Sequence, residues 1–274
     1  MSVLLCNGVR LGFDEAGVGQ PLILVHGSWT NRLTWDSVFL KLAEHFRVIR
    51  YDRRGYGESD KPGAPPSVHA DDLRALIDAL GLTTVALVGN SMGALIALQV
   101  ASALPNCELS FVLAHEPPLL WLLDEAPPQT VLSERIRSAL VQAASAGRDG
   151  DWEGCARYYV EGSSGAPGVW EYLPAEQKRA FIENAPAFLD DASDPTWWTL
   201  EPPALRALES RVVVTSGSVS SPFLRIISER LSALLPQAQR RVFPHAGHVA
   251  HQTAPQDFVD EIVKQYRPTP RLNT

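Results

Sequence analysis

The stretch Thr-Val-Ala-Leu-Val-Gly-Asn-Ser-Met-Gly, residues 84–93, decides the fold of this 274-residue chain. Its first five residues are apolar or β-branched and predict a buried strand, whereas residues 94–104 follow a helical pattern that ends at Pro105. A Gly-x-Ser-x-Gly motif between a strand and a helix predicts a sharp turn, where glycines tolerate the crowding around a serine in strained geometry. We therefore predict that Ser91 is a nucleophile.

The alternation of strand and helix patterns continues on both sides of this motif. Apolar runs predict further strands at residues 3–13, 21–25, 47–51, 109–114, 211–215 and 239–243. Helical patterns occupy residues 33–45, 71–80 and 256–266, with Asp71 and Asp72 as acidic residues of a first helical turn. Because the strands are apolar nearly throughout, they predict an α/β fold with a mainly parallel sheet covered by helices on both faces.

Residues 119–204 interrupt this rhythm and predict a helical cap, while residues 1–118 and 205–274 form the core. Five of the seven tryptophans lie in this stretch, in which prolines and glycines separate the helical patterns. Ligand pockets are lined by apolar and aromatic side chains, although aromatic residues also fill ordinary helical cores. The candidate substrate-binding residues are Trp29, Trp121, Trp197 and Trp198.

Two backbone N–H groups are candidates for stabilising an oxyanion beside Ser91. The N–H of Met92 lies at the start of the helix after the nucleophile, where the helix dipole favours negative charge. The loop after the strand at residues 21–25 supplies the other candidate, the N–H of Ser28, since Gly27 lets the backbone turn over Ser91. We expect His26 to brace this loop rather than to carry protons.

Four motifs in order resemble the α/β-hydrolase superfamily over nearly the whole chain. They are His-Gly at residues 26–27, Asp-Arg-Arg-Gly-Tyr-Gly-Glu-Ser at 52–59, the Ser91 motif, and Gly-His at 247–248. The resemblance is strongest to the branch of small bacterial esterases, haloperoxidase-like proteins and carbon–carbon-bond hydrolases. It implies a mainly parallel eight-stranded sheet with a helical cap between strands six and seven. It also implies that residues 52–59 form a loop without a direct chemical role.

His248 is the predicted general base. It follows the last predicted strand and matches the histidine position of the family, and a neutral imidazole there would accept the Ser91 proton. The spacing of His245, His248 and His251 also resembles a metal site, but Pro244 and Gly247 predict a loop and no carboxylate is interleaved. We expect neither a metal nor another cofactor.

The predicted acid departs from the commonest family pattern. The family usually places an aspartate after strand seven, where this chain has Ser220, and residues 215–227 contain no carboxylate. Some relatives, including certain haloalkane dehalogenases, carry the acid at the end of strand six. Glu116 occupies that position here, so we predict that it is the triad acid, with a cap residue such as Asp194 as the alternative.

These residues predict a serine hydrolase that cleaves a carboxylic ester, lactone or thioester. A carbon–carbon-bond hydrolase and a slow ligand receptor on the same scaffold remain alternatives. The serine at the elbow disfavours dehalogenases and epoxide hydrolases, which need a carboxylate nucleophile there.

We expect a small-molecule substrate as the partner of this protein, and neither nucleic acid nor a membrane. A net charge of -7 without a basic stripe argues against nucleic acid, and three scattered cysteines argue against a disulfide framework. No apolar run is long enough for a membrane helix and no signal peptide is evident, so we expect a cytoplasmic protein. The oligomeric state cannot be read from the sequence.

Overall fold

A computed structural model provides the coordinates of this chain. The structure describes residues 2–104, 107–124, 129–193, 200, 205–206, 208, 211–235 and 237–266.

An eight-stranded sheet forms the centre of the molecule, with the strand order β1-β2-β4-β3-β5-β6-β7-β8. β1 pairs with β2, and β2 with β4, in antiparallel orientation. All other neighbours in this order, from β4 through β3 to β8, pair in parallel. The strands are β1 (Ser2–Cys6), β2 (Val9–Ala16), β3 (Pro21–Val25), β4 (Arg47–Tyr51), β5 (Thr84–Asn90), β6 (Glu108–His115), β7 (Val212–Gly217) and β8 (Gln239–Phe243). The predicted α/β-hydrolase architecture, with a mainly parallel eight-stranded sheet, is confirmed.

Helices flank the sheet. The helices are α1 (Asp36–Ala43), α2 (Pro66–Ala79), α3 (Met92–Ala101), α4 (Gln129–Arg148), α5 (Trp152–Ser164), α6 (Ala175–Asp191), α7 (Pro222–Leu234) and α8 (Pro255–Gln265). Short 3-10 helices occur at Arg32–Trp35, Leu120–Leu123 and Val169–Tyr172, and one further helical turn at Ala250–Thr253. The long helices described between β6 and β7 are α4, α5 and α6, and we call them the helical insertion.

Two local predictions were wrong. Residues 3–13 form a hairpin rather than one strand, because Asn7 and Gly8 both adopt positive φ, 46° and 77°. An Asn-Gly pair at positive φ makes a tight turn whose twist matches antiparallel strands. Helix α2 begins at Pro66, in the first turn where proline is tolerated, so Asp71 and Asp72 lie in its second turn.

The core divides into two apolar layers, one on each face of the sheet. Alternate residues of a strand point to opposite faces, so Ile23 and Val25 join one layer while Leu22 and Leu24 join the other. The first layer continues into α2, α3 and the helical insertion, and the second into α1 and α8. None of the helices in the described residues has the length and apolar character needed to cross a membrane.

Candidate active site

Ser91 lies at the junction of β5 and α3 in a backbone conformation that is rare for a serine. Its φ is 54° and its ψ is -121°. A side chain on Gly93 would place Cβ 2.0 Å from the carbonyl oxygen of Val25, and one on Gly89 would place Cβ 2.3 Å from that of Gly93. Only glycine fits at either position, so both glycines allow the turn that carries Ser91.

His248 and Glu116 are hydrogen-bonded to each other. His248 Nδ1 lies 2.7 Å from Glu116 Oε2, and the other carboxylate oxygen accepts a hydrogen bond of 2.8 Å from the N–H of Gly217 in β7. Glu116 is fully buried and has a positive φ of 50° just beyond β6. The side-chain amide of Asn90, the residue before Ser91, donates to the carbonyl oxygen of His248 at 2.9 Å. This hydrogen bond connects the loop that carries His248 to the turn at Ser91.

The surroundings of Glu116 favour its charged form. Burial raises the pKa of this carboxyl, but the hydrogen bond from His248 and the nearby imidazoles of His115 and His248 outweigh burial. The resulting pKa is about 2. Burial also lowers the pKa of His115 to about 4, although Glu116 opposes this shift. At neutral pH, a carboxylate therefore faces the Nδ1 of His248.

His26 donates a hydrogen bond within its own loop and accepts one from the loop after β4. Its Nε2 accepts from the N–H of Arg53 at 3.0 Å, so its Nδ1 carries the proton and donates to the carbonyl oxygen of Gly27 at 2.7 Å. Burial and the charge of Arg53 hold the pKa of His26 well below its usual value. This geometry agrees with a bracing role for a neutral imidazole.

A cavity of about 390 Å³ opens above Ser91. Ser91 and His248 lie in its lining, together with Ser28 and Met92, the predicted oxyanion donors. The helical insertion and α7 supply most of its apolar wall, which includes Ile136, Leu140, Tyr159, Val160, Phe181, Phe188, Phe223 and Leu224.

Of the four tryptophans predicted to contact substrate, the structure places Trp29 in the cavity lining, where it stacks on Phe188 with ring centroids 4.3 Å apart. Trp121 packs against the apolar core, and the described lining of the cavity does not include it. Trp197 and Trp198 lie outside the described residues. The residues that sequence reasoning missed are the phenylalanines and Tyr159, which have no local signal that distinguishes a cavity wall from a core.

The three closely spaced histidines do not converge. His248 contacts Glu116, His251 Nε2 lies 3.0 Å from the hydroxyl of Thr34, and His245 is exposed. Within the part of the chain that the structure describes, no three His, Cys, Asp or Glu side chains are placed to hold a metal ion.

The family model described as the alpha/beta hydrolase family matches residues 22–261. The chain belongs to this family. Among solved structures, this alpha/beta hydrolase resembles Est816, described as an N-acyl homoserine lactone degrading enzyme, with a TM-score of 0.74 and 25% identity over 95% of this chain and 98% of that one. An alpha/beta hydrolase from Sphaerobacter thermophilus shares the fold, with a TM-score of 0.79 and 23% identity over 97% and 100% of the two chains.

Curated relatives of this hydrolase differ in the extent of their match. An uncharacterized protein of Mycobacterium tuberculosis is 41% identical over 102 residues, which are 36% of this chain and 30% of that protein's length. The 2-(acetamidomethylene)succinate hydrolase of Mesorhizobium japonicum is 25% identical over 258 residues, or 90% of this chain and 88% of that protein.

This hydrolase also contains a buried polar cluster that the sequence did not reveal. Asp191, the last residue of α6, is fully buried and accepts hydrogen bonds from four side chains. Arg53 donates to both carboxylate oxygens at 2.9 and 3.0 Å, His69 Nε2 lies 2.9 Å from Oδ1, and the hydroxyls of Tyr56 and Ser28 each lie 2.6 Å from Oδ2. Residues 52–59 therefore take part in a cluster that the family resemblance did not predict.

Charge balance explains how this cluster tolerates full burial. Burial raises the pKa of the Asp191 carboxyl, but Arg53 and His69 outweigh burial and hold that pKa well below its usual value. Burial and Arg53 lower the pKa of His69, so the imidazole stays neutral and donates through Nε2. The cluster is thus one carboxylate and one guanidinium, joined by neutral hydrogen-bond donors.

Proposed function

We propose that this protein is a serine hydrolase that cleaves an uncharged carboxylic ester or lactone through an acyl-enzyme on Ser91. One observation carries the proposal: Ser91 and His248 line the same cavity, and His248 Nδ1 lies 2.7 Å from the buried carboxylate of Glu116. A serine and an imidazole whose far nitrogen is held by a carboxylate are the components of acyl transfer.

In the proposed reaction, the Nδ1–H of His248 donates to Glu116, which leaves Nε2 to accept the Ser91 proton. The Ser91 oxygen then attacks the substrate carbonyl, and the N–H groups of Ser28 and Met92 stabilise the resulting oxyanion. The imidazolium returns its proton to the leaving alcohol as the acyl-enzyme forms. The same imidazole then activates water, which releases the acid and restores Ser91.

The cavity wall supports an uncharged and largely apolar substrate. No Lys, Arg, Asp or Glu occurs among the described residues of the lining, in which His248 and Tyr159 are the titratable side chains. The parts of residues 125–210 that the structure leaves undescribed contain no Lys or Arg in their sequence. A substrate carboxylate would therefore lose its hydration without gaining a cationic partner, which is costly.

The comparisons support this choice among family activities. Est816 is described as degrading N-acyl homoserine lactones, which are neutral molecules, and it matches nearly the whole chain. The Mesorhizobium relative acts on a succinate, which is anionic, and the cavity of this chain has no described cation for such a substrate. In this proposal, the helical insertion serves as the cap that shields the acyl group from water.

A substrate panel tests the proposal. The panel contains p-nitrophenyl esters of increasing acyl length, neutral lactones, a thioester and a vinylogous diketone, so that carbon–carbon cleavage is measured beside ester cleavage. It also pairs the p-nitrophenyl ester of monomethyl adipate with that of adipic acid, which have nearly the same shape but differ in charge. We expect the neutral ester to react at least about tenfold faster in kcat/KM, because the anion enters an uncompensated apolar site.

The variant Ser91→Ala should abolish hydrolysis of the preferred substrate. Ser102→Ala, at the other end of α3, is the matched control and should retain wild-type turnover because its hydroxyl only donates to the carbonyl oxygen of Gln99. Unchanged activity in Ser91→Ala would disprove the assignment of Ser91 as the nucleophile. Tight ligand binding with almost no turnover in the wild type would instead indicate a receptor.

A further inference from the structure

The peptide group that joins Gly27 to Ser28 is held from one side by two donors. Its carbonyl oxygen accepts from His26 Nδ1 at 2.7 Å and from Arg53 Nη2 at 3.2 Å. A trans peptide is planar, so its N–H points away from its C=O. Because both donors fix the direction of the carbonyl, they also fix the direction of the Ser28 N–H.

The loop that carries this N–H lies close to Ser91. A side chain on Gly27 would place Cβ 3.2 Å from the Cβ of Ser91 and 3.2 Å from the carbonyl oxygen of Asn90, so the loop passes directly over the nucleophile. Ser28 also lies with Ser91 and Met92 in the cavity lining. The Ser28 hydroxyl, in contrast, donates to Asp191 at the end of the helical insertion.

Asp191 is connected to both parts of this peptide. It binds the Ser28 hydroxyl directly, and its bidentate ion pair holds the guanidinium of Arg53, which donates to the Gly27 carbonyl oxygen. Asp191 and Arg53 are fully buried, so water does not compete for the hydrogen bonds between them. A cationic donor on the carbonyl oxygen also polarises the peptide and strengthens its N–H as a donor.

We propose that Asp191 is a positioning residue for the oxyanion site: through the Ser28 hydroxyl and through Arg53, it orients the 27–28 peptide so that the Ser28 N–H faces the oxyanion formed on the substrate. This inference rests on the proposed acyl-transfer function. It assigns the helical insertion a role in the chemical step as well as in enclosing the substrate. Asp191 itself does not touch the substrate.

Two hydroxyls provide a matched test, since those of Ser28 and Tyr56 both donate to Asp191 Oδ2 at 2.6 Å and only Ser28 lies in the oxyanion loop. Ser28→Ala and Tyr56→Phe each remove one of these bonds and keep the backbone. We expect Ser28→Ala to lower kcat about tenfold, which is less than the loss of an entire oxyanion donor, and to leave KM within about twofold. Tyr56→Phe should keep kcat within about twofold of the wild type.

Binding of a trifluoromethyl ketone provides the second readout. This inhibitor forms an oxyanion on Ser91, so its affinity should fall in Ser28→Ala by about the same factor as kcat, whereas the corresponding alcohol, which forms no oxyanion, should bind equally well. Equal kcat losses in the two variants, wild-type kcat in Ser28→Ala, or unchanged ketone affinity would each overturn the positioning role. A wild-type protein without turnover of any ester or lactone would instead overturn the proposed function. Melting temperatures of both variants separate these outcomes from a general loss of folding.

Discussion

Glu116 and Asp191 are both fully buried carboxylates, and they differ in their partners. Glu116 lies at the end of a sheet strand and contacts His248, whose side chain is 36% exposed. Asp191 lies at the end of a helix in the insertion and contacts Arg53, whose side chain is completely buried. Both carboxyls have a lowered pKa, because in each case hydrogen bonds and nearby charge outweigh burial.

The contrast lies in the chemistry of the two partners. The partner of Glu116 is an imidazole that lines the cavity, and an imidazole can accept and return a proton, as the proposed general base must do. The partner of Asp191 is a guanidinium that keeps its charge and binds through a planar, bidentate geometry. We therefore assign proton movement to the first pair and fixed geometry to the second.

Asp191→Asn should cause the largest loss of stability. The amide leaves the buried charge of Arg53 uncompensated, and we expect the free energy of unfolding in urea to fall by about 3–5 kcal/mol. Asp190→Asn is the matched control, since the neighbouring carboxylate accepts from the N–H of Gly63 and has no buried cation; its loss should be about 1 kcal/mol. Equal losses of unfolding free energy in Asp191→Asn and Asp190→Asn would contradict a special stabilising role of the buried Asp191–Arg53 ion pair.

Glu116→Gln should impair turnover more than folding. The amide oxygen still accepts from the N–H of Gly217, but the amide N–H₂ faces His248 and favours the tautomer with the proton on Nε2. That tautomer does not accept the Ser91 proton, so we expect kcat to fall on the order of a hundredfold or more. Steady-state kinetics on the preferred ester give this value. Wild-type kcat in Glu116→Gln would leave a cap residue such as Asp194 as the acid.

The pH dependence of stability should reveal the buried imidazole beside Glu116. His115 has a folded pKa of about 4, so between pH 6.5 and 4 the unfolded chain binds the extra proton and stability falls as the pH is lowered. This residue should account for about 2 kcal/mol of the loss between pH 6.5 and 4.5. Urea denaturation of His115→Gln should show a correspondingly shallower pH dependence, and the control His245→Gln, at an exposed position, should retain the wild-type slope. A wild-type slope in His115→Gln would contradict the assignment.

Local patterns predicted the elements on both sides of Ser91. The strand, the turn and the helix around Ser91 are adjacent in sequence, so the motif and the apolar run before it were sufficient. Glu116 was predicted from the family resemblance, because Ser220 stands where the family usually has an aspartate and some relatives carry the acid at the end of strand six. The structure brings Glu116 to His248. The hairpin at Asn7 and Gly8 was missed although its turn signal is present in the sequence.

The Asp191 cluster could not have been predicted in the same way. Asp191 and Arg53 are 138 positions apart, and an Asp-Asp pair at the end of an amphipathic helix usually faces water. Their pairing depends on how the insertion packs against the loop after β4, which no local pattern encodes. The aromatic content of residues 119–204 likewise indicated a cavity, but it did not distinguish the residues of the cavity wall from Trp121, which packs against the core.

The central claim is that Ser91 is the activated nucleophile of this site. Its most direct test is labelling with a fluorophosphonate, in which the serine oxygen displaces fluoride from phosphorus, followed by peptide mass spectrometry. We expect one modified residue, Ser91, and no labelling in Ser91→Ala. A label on another residue, or labelling that persists in Ser91→Ala, would contradict the account.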